Sequence, residues 1–277
     1  MPNAEYENQY KKTVVDFFNS RTNYDNDYTI RRTLPLLDLV WLKKGYKVLD
    51  VATGTGIIAI AAAQIVGTEG KVIGVDFSSG MLNQARRKIE ELGWQNIELI
   101  EADAEYLNFD IESFDAIICG TAIVYFRDIS AILRNWYRWL KPGGIVAFSC
   151  CSDASCEAPL ILKVSAKYGI PLLNINEPTG TPEKCCNLLQ EVGFRNVLVQ
   201  TKQLGFYREV EEMGQWNGLW FHPRENPLSQ LTSEQMEQLK AEYRKEVEAR
   251  ATERGVWYEN MTFFVTGQKL INLPSRR

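Results

Sequence analysis

The chain contains a single histidine, His222, and no Cys-x-x-Cys pair among its six cysteines. A lone histidine and the absence of Cys-x-x-Cys spacing leave little to complete a zinc site of the usual ligand sets, and no metal is expected. Cys150–Cys151 and Cys185–Cys186 are adjacent pairs, while Cys119 and Cys156 stand apart. That is no disulfide framework, and buried free thiols in a reducing compartment are the expectation. No run approaches the ~20 apolar residues of a membrane-spanning helix, and the opening Met1-Pro-Asn-Ala-Glu-Tyr6 lacks the apolar stretch of a secretory leader. No membrane association is expected, and the expected location is cytoplasmic. Basic charge is not in excess either. Against 35 Asp+Glu stand 31 Lys+Arg, a net charge of -4, so there is no cationic stripe to track phosphates and no nucleic-acid partner is expected.

What is present suits a globular chain. Its 277 residues are 45% hydrophobic and 24% charged, enough for a sizeable core and compatible with one elaborated domain. Tyr6, Tyr10, Val14 and Phe17 recur at helical spacing and predict a helix over 6–19. A second helix is predicted over 29–42, with Pro35 either in its first turns or dividing it in two. From Lys47 short Val/Ile/Leu-rich strands alternate with helices that end at Gly67 and Gly93, the pattern of a parallel sheet covered on both faces. Lys141-Pro-Gly-Gly144 reads as a sharp stop and turn ahead of a strand over 145–151. A helix over 181–192, a strand over 194–201 and a last strand over 261–267 complete the series. The fold class is α/β, a doubly wound Rossmann-like sheet with helices on both faces.

About sixty residues separate the last two strands, far more than a hairpin loop, so they should carry structure of their own. Within them Thr232 and Gln235 have capping-box spacing, with Leu231 and Met236 as the hydrophobic staple of a helix whose apolar face is Met236, Leu239, Tyr243 and Val247. The expected division is a helical cap over 1–44, a cofactor-binding core over 45–201, a helical insertion serving as a substrate lid over 202–260, and the final core strand with a tail over 261–277.

The stretch that carries chemistry is Val48-Leu-Asp-Val-Ala-Thr-Gly-Thr-Gly56, a strand running into a glycine turn and then a helix. Gly54 and Gly56 let backbone approach a ligand, and the helix start presents unpaired N–H groups. The next strand ends in Asp76, whose carboxylate can accept both hydroxyls of a ribose. Two ligands fit that spacing, a nicotinamide dinucleotide and S-adenosylmethionine. The dinucleotide motif wants a third glycine, and Ala59 stands in its place. Asp50, just before the loop, could orient the turn or reach a ligand's ammonium, a task a dinucleotide does not set. Asp103 and Ala104 close the third strand, where a carboxylate and the following backbone N–H can meet the amino group and ring nitrogen of adenine.

As a set, VLDVATGTG, GKVIGVDFSSGMLNQARRK, EADAEYLNF, SFDAII and LKPGG resemble the class I S-adenosylmethionine-dependent methyltransferases over roughly residues 45–150, and most closely the branch holding the ubiquinone and menaquinone C-methyltransferases. The resemblance implies a seven-stranded sheet of order 3-2-1-4-5-7-6 with the last strand antiparallel. It implies that Gly54 and Gly56 pack on the methionyl part, Asp76 holds the ribose, Asp103 holds the adenine amino group and Asp50 supports the loop. Ala52, Thr53, Phe77, Met81, Ala104 and Gly120 complete the cofactor set it implies. After the fourth strand the chain reads Gly120-Thr-Ala-Ile-Val-Tyr125, where the quinone enzymes carry a Gly-Leu-Arg-Asn type of segment.

The expected activity is therefore methyl transfer by in-line displacement from S-adenosyl-L-methionine to a small, aromatic or otherwise apolar acceptor, at oxygen or nitrogen, releasing S-adenosyl-L-homocysteine. Quinone C-methylation is the alternative within enzymes, and a non-catalytic nucleoside-binding or interaction protein the alternative outside them. His222, in Trp220-Phe-His-Pro-Arg224, is the candidate general base, against a packing role in an aromatic loop. Tyr24, Thr121, Tyr125, Trp216, Trp220, Trp257 and Tyr258 are the candidate acceptor wall; for the aromatics of the insertion, a satellite core beneath the added helix is the competing account.

Overall fold

The computed structural model describes residues 4–271, and no helix among them is long and apolar enough to cross a membrane. Helix α1 (Ala4–Asn19) follows the predicted periodicity and buries Tyr10 and Val14. Pro35 divides the second predicted helix into α2 (Asp27–Thr33) and α3 (Pro35–Val40). The Asn26 side chain caps α2 by accepting the Thr29 N–H, and Pro35 opens α3 where its missing N–H costs nothing. The left-handed Trp41 then stops α3 short of the predicted end.

The alternating core follows as β1 (Lys47–Val51), α4 (Ile57–Val66), β2 (Lys71–Asp76), α5 (Ser79–Leu92), β3 (Ile97–Glu101), β4 (Phe114–Cys119), α6 (Ile129–Trp139) and β5 (Leu140–Cys151). After β5 come α7 (Ala158–Lys167), α8 (Pro182–Val192) and β6 (Arg195–Gln203). The insertion holds β7 (Phe206–Arg208), α9 (Val210–Met213), α10 (Ser233–Glu248) and β8 (Val256–Tyr258), and β9 (Met261–Gln268) returns to the sheet. The seven-stranded sheet has the order β3-β2-β1-β4-β5-β9-β6, with β9 antiparallel to both neighbours, which is the expected 3-2-1-4-5-7-6 arrangement.

Period-two alternation assigns the strand side chains to two faces. Leu49, Val51, Ile117, Cys119, Val146 and Phe148 point into one cluster with Trp136, Trp139 and Leu189 of the helices α6 and α8. Val48, Ala116, Ile118 and Ala147 point into the other, against Leu36 and Leu37 of α3 and Ile58, Ala59 and Ala62 of α4. Burial on both faces explains the continuous apolar runs.

Three features differ from the expectation. Lys141-Pro-Gly-Gly144 does not break the chain: β5 runs through it, with a register shift against β4 and with Gly143 N–H donating to Lys269 O at 2.7 Å, so the turn-like residues form an irregularity inside an extended strand. The insertion is not purely helical, since β7 and β8 pair as an antiparallel ribbon from Phe206↔Tyr258 to Arg208↔Val256. The unanticipated α7 supplies Leu160, Ile161 and Val164 to a third cluster with Leu239, Tyr243 and Val247 of α10. The insertion's own core therefore draws on a segment outside 202–260.

Candidate functional site

Parallel strands bring their carboxyl ends to one edge, and there the chain after β1, β2, β3 and β4 forms a cleft. Ala52 and Gly54 after β1, Asp76 and Phe77 at β2, Met81 of α5, Asp103 and Ala104 after β3, and Gly120, Thr121 and Tyr125 after β4 line it. Helix α1 covers it with Tyr10, Lys11, Val14 and Phe18, and Tyr24 follows from the next loop. The space amounts to about 760 Å³, part of it open to solvent.

The glycine turn is held from below. Gly56 takes φ 80 at the start of α4, and Gly54 takes φ 56 with the ring of Tyr24 as its neighbour. A Cβ on Gly54 would make only ordinary contact with Tyr24 Cε1, at 3.8 Å, so it is the positive φ that favours glycine there. Asp50 and Thr53 do not line the cleft. Thr53 Oγ1 donates to Asp50 Oδ2 at 2.6 Å beneath the turn, while Asp50 Oδ1 is buried without a partner. Burial pushes the Asp50 carboxyl up to about 7, against the opposing hydrogen bonds from the Thr53 hydroxyl and the Ala59 backbone. Gly56 is likewise absent from the lining.

Asp76 is 8% exposed and accepts Gly54 N–H on Oδ2 and Ser78 N–H on Oδ1, both at 2.8 Å. Burial raises its pKa, and the N–H groups of Ser78, Gly54 and Phe77 oppose the rise. A carboxylate has about four acceptor sites, so with these N–H groups in place acceptor capacity remains for a ribose hydroxyl. Asp103 is already engaged: Lys11 Nζ stands 2.6 Å from its Oδ2, 3.0 Å from Glu105 Oε2 and 3.3 Å from Glu7 Oε1. Along this edge Asp103 after β3, Asp76 on β2 and the glycine turn after β1 follow in that order, so the two carboxylates stand side by side on neighbouring strands and suit a nucleoside with hydroxyls at one end and an amine at the other. Among the described residues no cluster of His, Cys, Asp and Glu could hold a metal ion.

The acceptor-wall candidates separate into two groups. Tyr24, Thr121 and Tyr125 come together at the cleft, the Tyr24 hydroxyl hydrogen-bonded with Thr121. Burial raises the pKa of Tyr24 and pushes Tyr125 up to about 12, so both are neutral phenols near pH 7. Trp216, Trp220, Trp257 and Tyr258 lie elsewhere. Trp220, 7% exposed, and Trp216, whose ring lies 5.5 Å from that of Tyr243, belong to the satellite core. Trp257 is 40% exposed on β8 and donates to Glu259, and Tyr258 packs with Tyr28 and Phe206.

His222 does not reach the cleft. It lines a second cavity that shares only Phe126 with the first. Its Nδ1 accepts the Arg224 N–H at 3.2 Å, its carbonyl accepts the Tyr6 hydroxyl at 2.7 Å, and burial, reinforced by Arg224, pushes its pKa down to about 4. The neighbour that does approach the roof is Phe221, 5.1 Å from Phe17 and 6.5 Å from Tyr125 between ring centroids. Phe18, 5.7 Å from Tyr125, and Lys11 were also not anticipated; residues 11, 14 and 18 share a helical stripe adjoining the apolar face chosen from the sequence.

Comparison with known proteins agrees with this architecture. Residues 14–171 match the model of the ubiE/COQ5 methyltransferase family. A demethylmenaquinone methyltransferase of Listeria welshimeri is 41% identical over 119 residues, 43% of this chain and 49% of that protein. One from Staphylococcus epidermidis is 37% identical over 127 residues, 46% and 51% of the two chains. The chain thus spans about half the length of the curated relatives it matches. Among solved structures, a putative methyltransferase of Bacillus halodurans superposes with a TM-score of 0.57 at 23% identity, covering 86% of this chain and 98% of that one. Phosphoethanolamine N-methyltransferase 2 of Haemonchus contortus, solved with S-adenosyl-L-methionine, superposes with a TM-score of 0.54 at 18% identity, covering 86% and 52%. At these identities the superpositions establish the fold, and the family assignment rests on the sequence match. The chain belongs to the ubiE/COQ5 methyltransferase family.

Proposed function

We propose that the protein transfers a methyl group from S-adenosyl-L-methionine to a small, flat, largely apolar acceptor. The observation that carries this is that Asp103, Asp76 and the Gly54 turn follow one another along the cleft at the ends of β3, β2 and β1, with Gly54 N–H on the Asp76 carboxylate and Val75 and Ala102 lining the same cleft. In this reading Asp76 takes the ribose hydroxyls, Asp103 the adenine amino group and Ala104 the base edge, while Gly54 gives the methionyl part room. Ala52, Phe77, Met81 and Gly120 line the same site. Asp50, Thr53 and Gly56 act one layer down, by fixing the turn.

Bound S-adenosyl-L-methionine supplies an electrophilic methyl group on a sulfonium. What the chain has to add is alignment and the exclusion of water. Tyr24, Thr121 and Tyr125, with Phe18 and Phe221 above them, form the aromatic wall that does both. Their phenols stay protonated near neutrality, so they orient a nucleophile by hydrogen bonding and do not deprotonate it. His222 has no part in this scheme.

Titration calorimetry with S-adenosylmethionine and S-adenosylhomocysteine tests the reading. Micromolar binding by the wild type and a loss of at least about tenfold in Asp76→Ala are expected. No binding, or the same affinity in the variant, overturns it.

A second reading, C-methylation of a quinone precursor, is favoured by the two relatives named demethylmenaquinone methyltransferases. Against it stand Gly120-Thr-Ala-Ile-Val-Tyr125 at the cleft and an insertion over 202–260 that lies wholly beyond the matched 14–171. Restoration of quinone in a strain lacking its own methyltransferase would select it.

A further inference from the structure

Arg32, on α2, is partly buried and carries a positive charge for which the described residues provide no carboxylate. Arginine ion pairs among those residues belong to Arg86, Arg127 and Arg208. Its Nη2 donates to Cys151 Sγ at 3.0 Å, its Cζ stands 4.8 Å over the Tyr28 ring, and its Nε is buried with no hydrogen-bond partner. The groups that bear most on its charge are Cys151, Tyr28, Cys156 and Tyr258. Of these only Cys151 is driven toward its ionised form, its thiol held down to about 6 by a hydrogen bond from Cys156 with Arg32 beside it, while that same hydrogen bond with burial raises Cys156, and burial raises Tyr28 and Tyr258.

The Arg32 backbone is tied to the wall of the cleft. Ser149 Oγ donates to Arg32 O at 2.7 Å and accepts the N–H of Thr121, a lining residue, at 3.0 Å. The Arg32 charge reaches the hydroxyls of Tyr24 and Tyr125, both on the acceptor side. Around it the rings of Tyr28, Phe206 and Tyr258 pack on one another at centroid distances of 5.4–6.3 Å, and Phe206 is 40% exposed.

Burying a guanidinium with a single sulfur as its partner and its Nε–H unpaired is costly, and departures of this kind concentrate where a ligand supplies what is missing. The planar fork of arginine matches a carboxylate bidentately, and its face tolerates aromatic neighbours. We propose that Arg32 is a specificity-determining residue of the acceptor site, and that the acceptor is a flat aromatic carboxylate whose anionic end pairs with this guanidinium. The proposal rests on the methyl-transfer reading of the cleft. In the resting protein Cys151 is the partner: a hydrogen bond from Cys156, with Arg32 beside it, holds the Cys151 thiol below the ordinary thiol range.

Benzoate and benzamide, of equal shape and different charge, are the probes. Titrated into wild-type protein, with and without saturating S-adenosylhomocysteine, benzoate is expected to bind at least about tenfold tighter than benzamide. In Arg32→Met the ratio should fall to about one, with Arg32→Lys in between and Cys151→Ala at or above wild type. A ratio near one in the wild type, or an undiminished ratio in Arg32→Met, overturns the proposal. So does a benzoate preference confined to Cys151→Ala, which would make the thiolate the native counter-charge. Nucleoside affinity, measured separately, should stay within about twofold in every variant. Should the wild type bind no nucleoside, the methyl-transfer reading fails, and the benzoate ratio without nucleoside still decides whether Arg32 recognises a carboxylate.

Discussion

Lys11 Nζ, on the helix that covers the cleft, donates to Asp103 Oδ2 at 2.6 Å, at the end of the strand whose carboxylate the sequence assigns to adenine. The amine that Asp103 meets thus comes from the protein itself. Glu7 and Glu105 also approach Lys11, and Tyr106 lies 4.4 Å beneath it, so α1 is fastened over the nucleoside end by one cation among three carboxylates. Neighbouring carboxylates raise the Lys11 pKa through hydrogen bonds and charge, while burial opposes them. The lysine therefore stays charged, and an incoming adenine amino group competes with it for Asp103.

Replacing Lys11 by methionine keeps the apolar stem and removes the competitor. Nucleoside affinity should rise by about threefold to tenfold, the worth of a half-buried polar contact. Calorimetry with S-adenosylhomocysteine reads this directly. An unchanged or weaker affinity would mean that Lys11 supports the bound nucleoside, for instance by holding Asp103 in place, and does not exclude it.

His222 offers a prediction about stability. As a base whose folded pKa is lowered to about 4, it stays neutral in the protein while the unfolded chain takes up a proton below its ordinary range near 6.5. Its contribution is complete above about pH 6.5 and is lost as the pH falls toward 4. His222→Gln should flatten the decline of stability across that window and leave nucleoside affinity unchanged. A wild-type acid limb in urea melts of the variant would contradict this assignment.

The core was legible because both of its faces are buried and each motif sits at a strand end. Asp76, Asp103 and Gly54 could be placed from spacing alone, and the structure gathers them at one edge. The insertion was not legible to the same degree. Trp216 and Trp220 look alike as pocket wall or as core, and the decision lay with α7, whose apolar residues fall in a different segment of the chain. Lys11 escaped notice for a related reason: a charged residue beside an apolar helical stripe reads as solvated until the helix is seen to lie over carboxylates.

Placing Trp220 in the satellite core has a measurable consequence. Its ring belongs to the cluster formed by apolar side chains of α7, α9 and α10, so truncation leaves a cavity away from the cleft. Trp220→Ala should cost roughly 3–5 kcal/mol of stability while nucleoside affinity stays within about twofold. A large loss of affinity at unchanged stability would return Trp220 to the site.

The last prediction concerns the carboxyl beneath the glycine turn. Asp50 is buried, Thr53 satisfies one of its oxygens, and the other has no partner, so burial lifts its pKa from the ordinary 3.8 to about 7. A raised acid pKa means that the folded state retains a proton which the unfolded chain has already released. Between about pH 4 and 7 the folded protein therefore binds more protons, and stability falls as the pH rises through that window. At about 1.4 kcal/mol per pH unit the ceiling on this loss is roughly 4 kcal/mol, and relaxation around the turn lowers it. Asp50→Asn cannot ionise but keeps an oxygen to accept from Thr53. Its stability should match the wild type near pH 4.5 and exceed it near pH 7.5, as read from urea midpoints at the two pH values. Parallel curves for the two proteins would mean that Asp50 is ionised in the fold, with a positive charge or ordered water at its unpartnered oxygen.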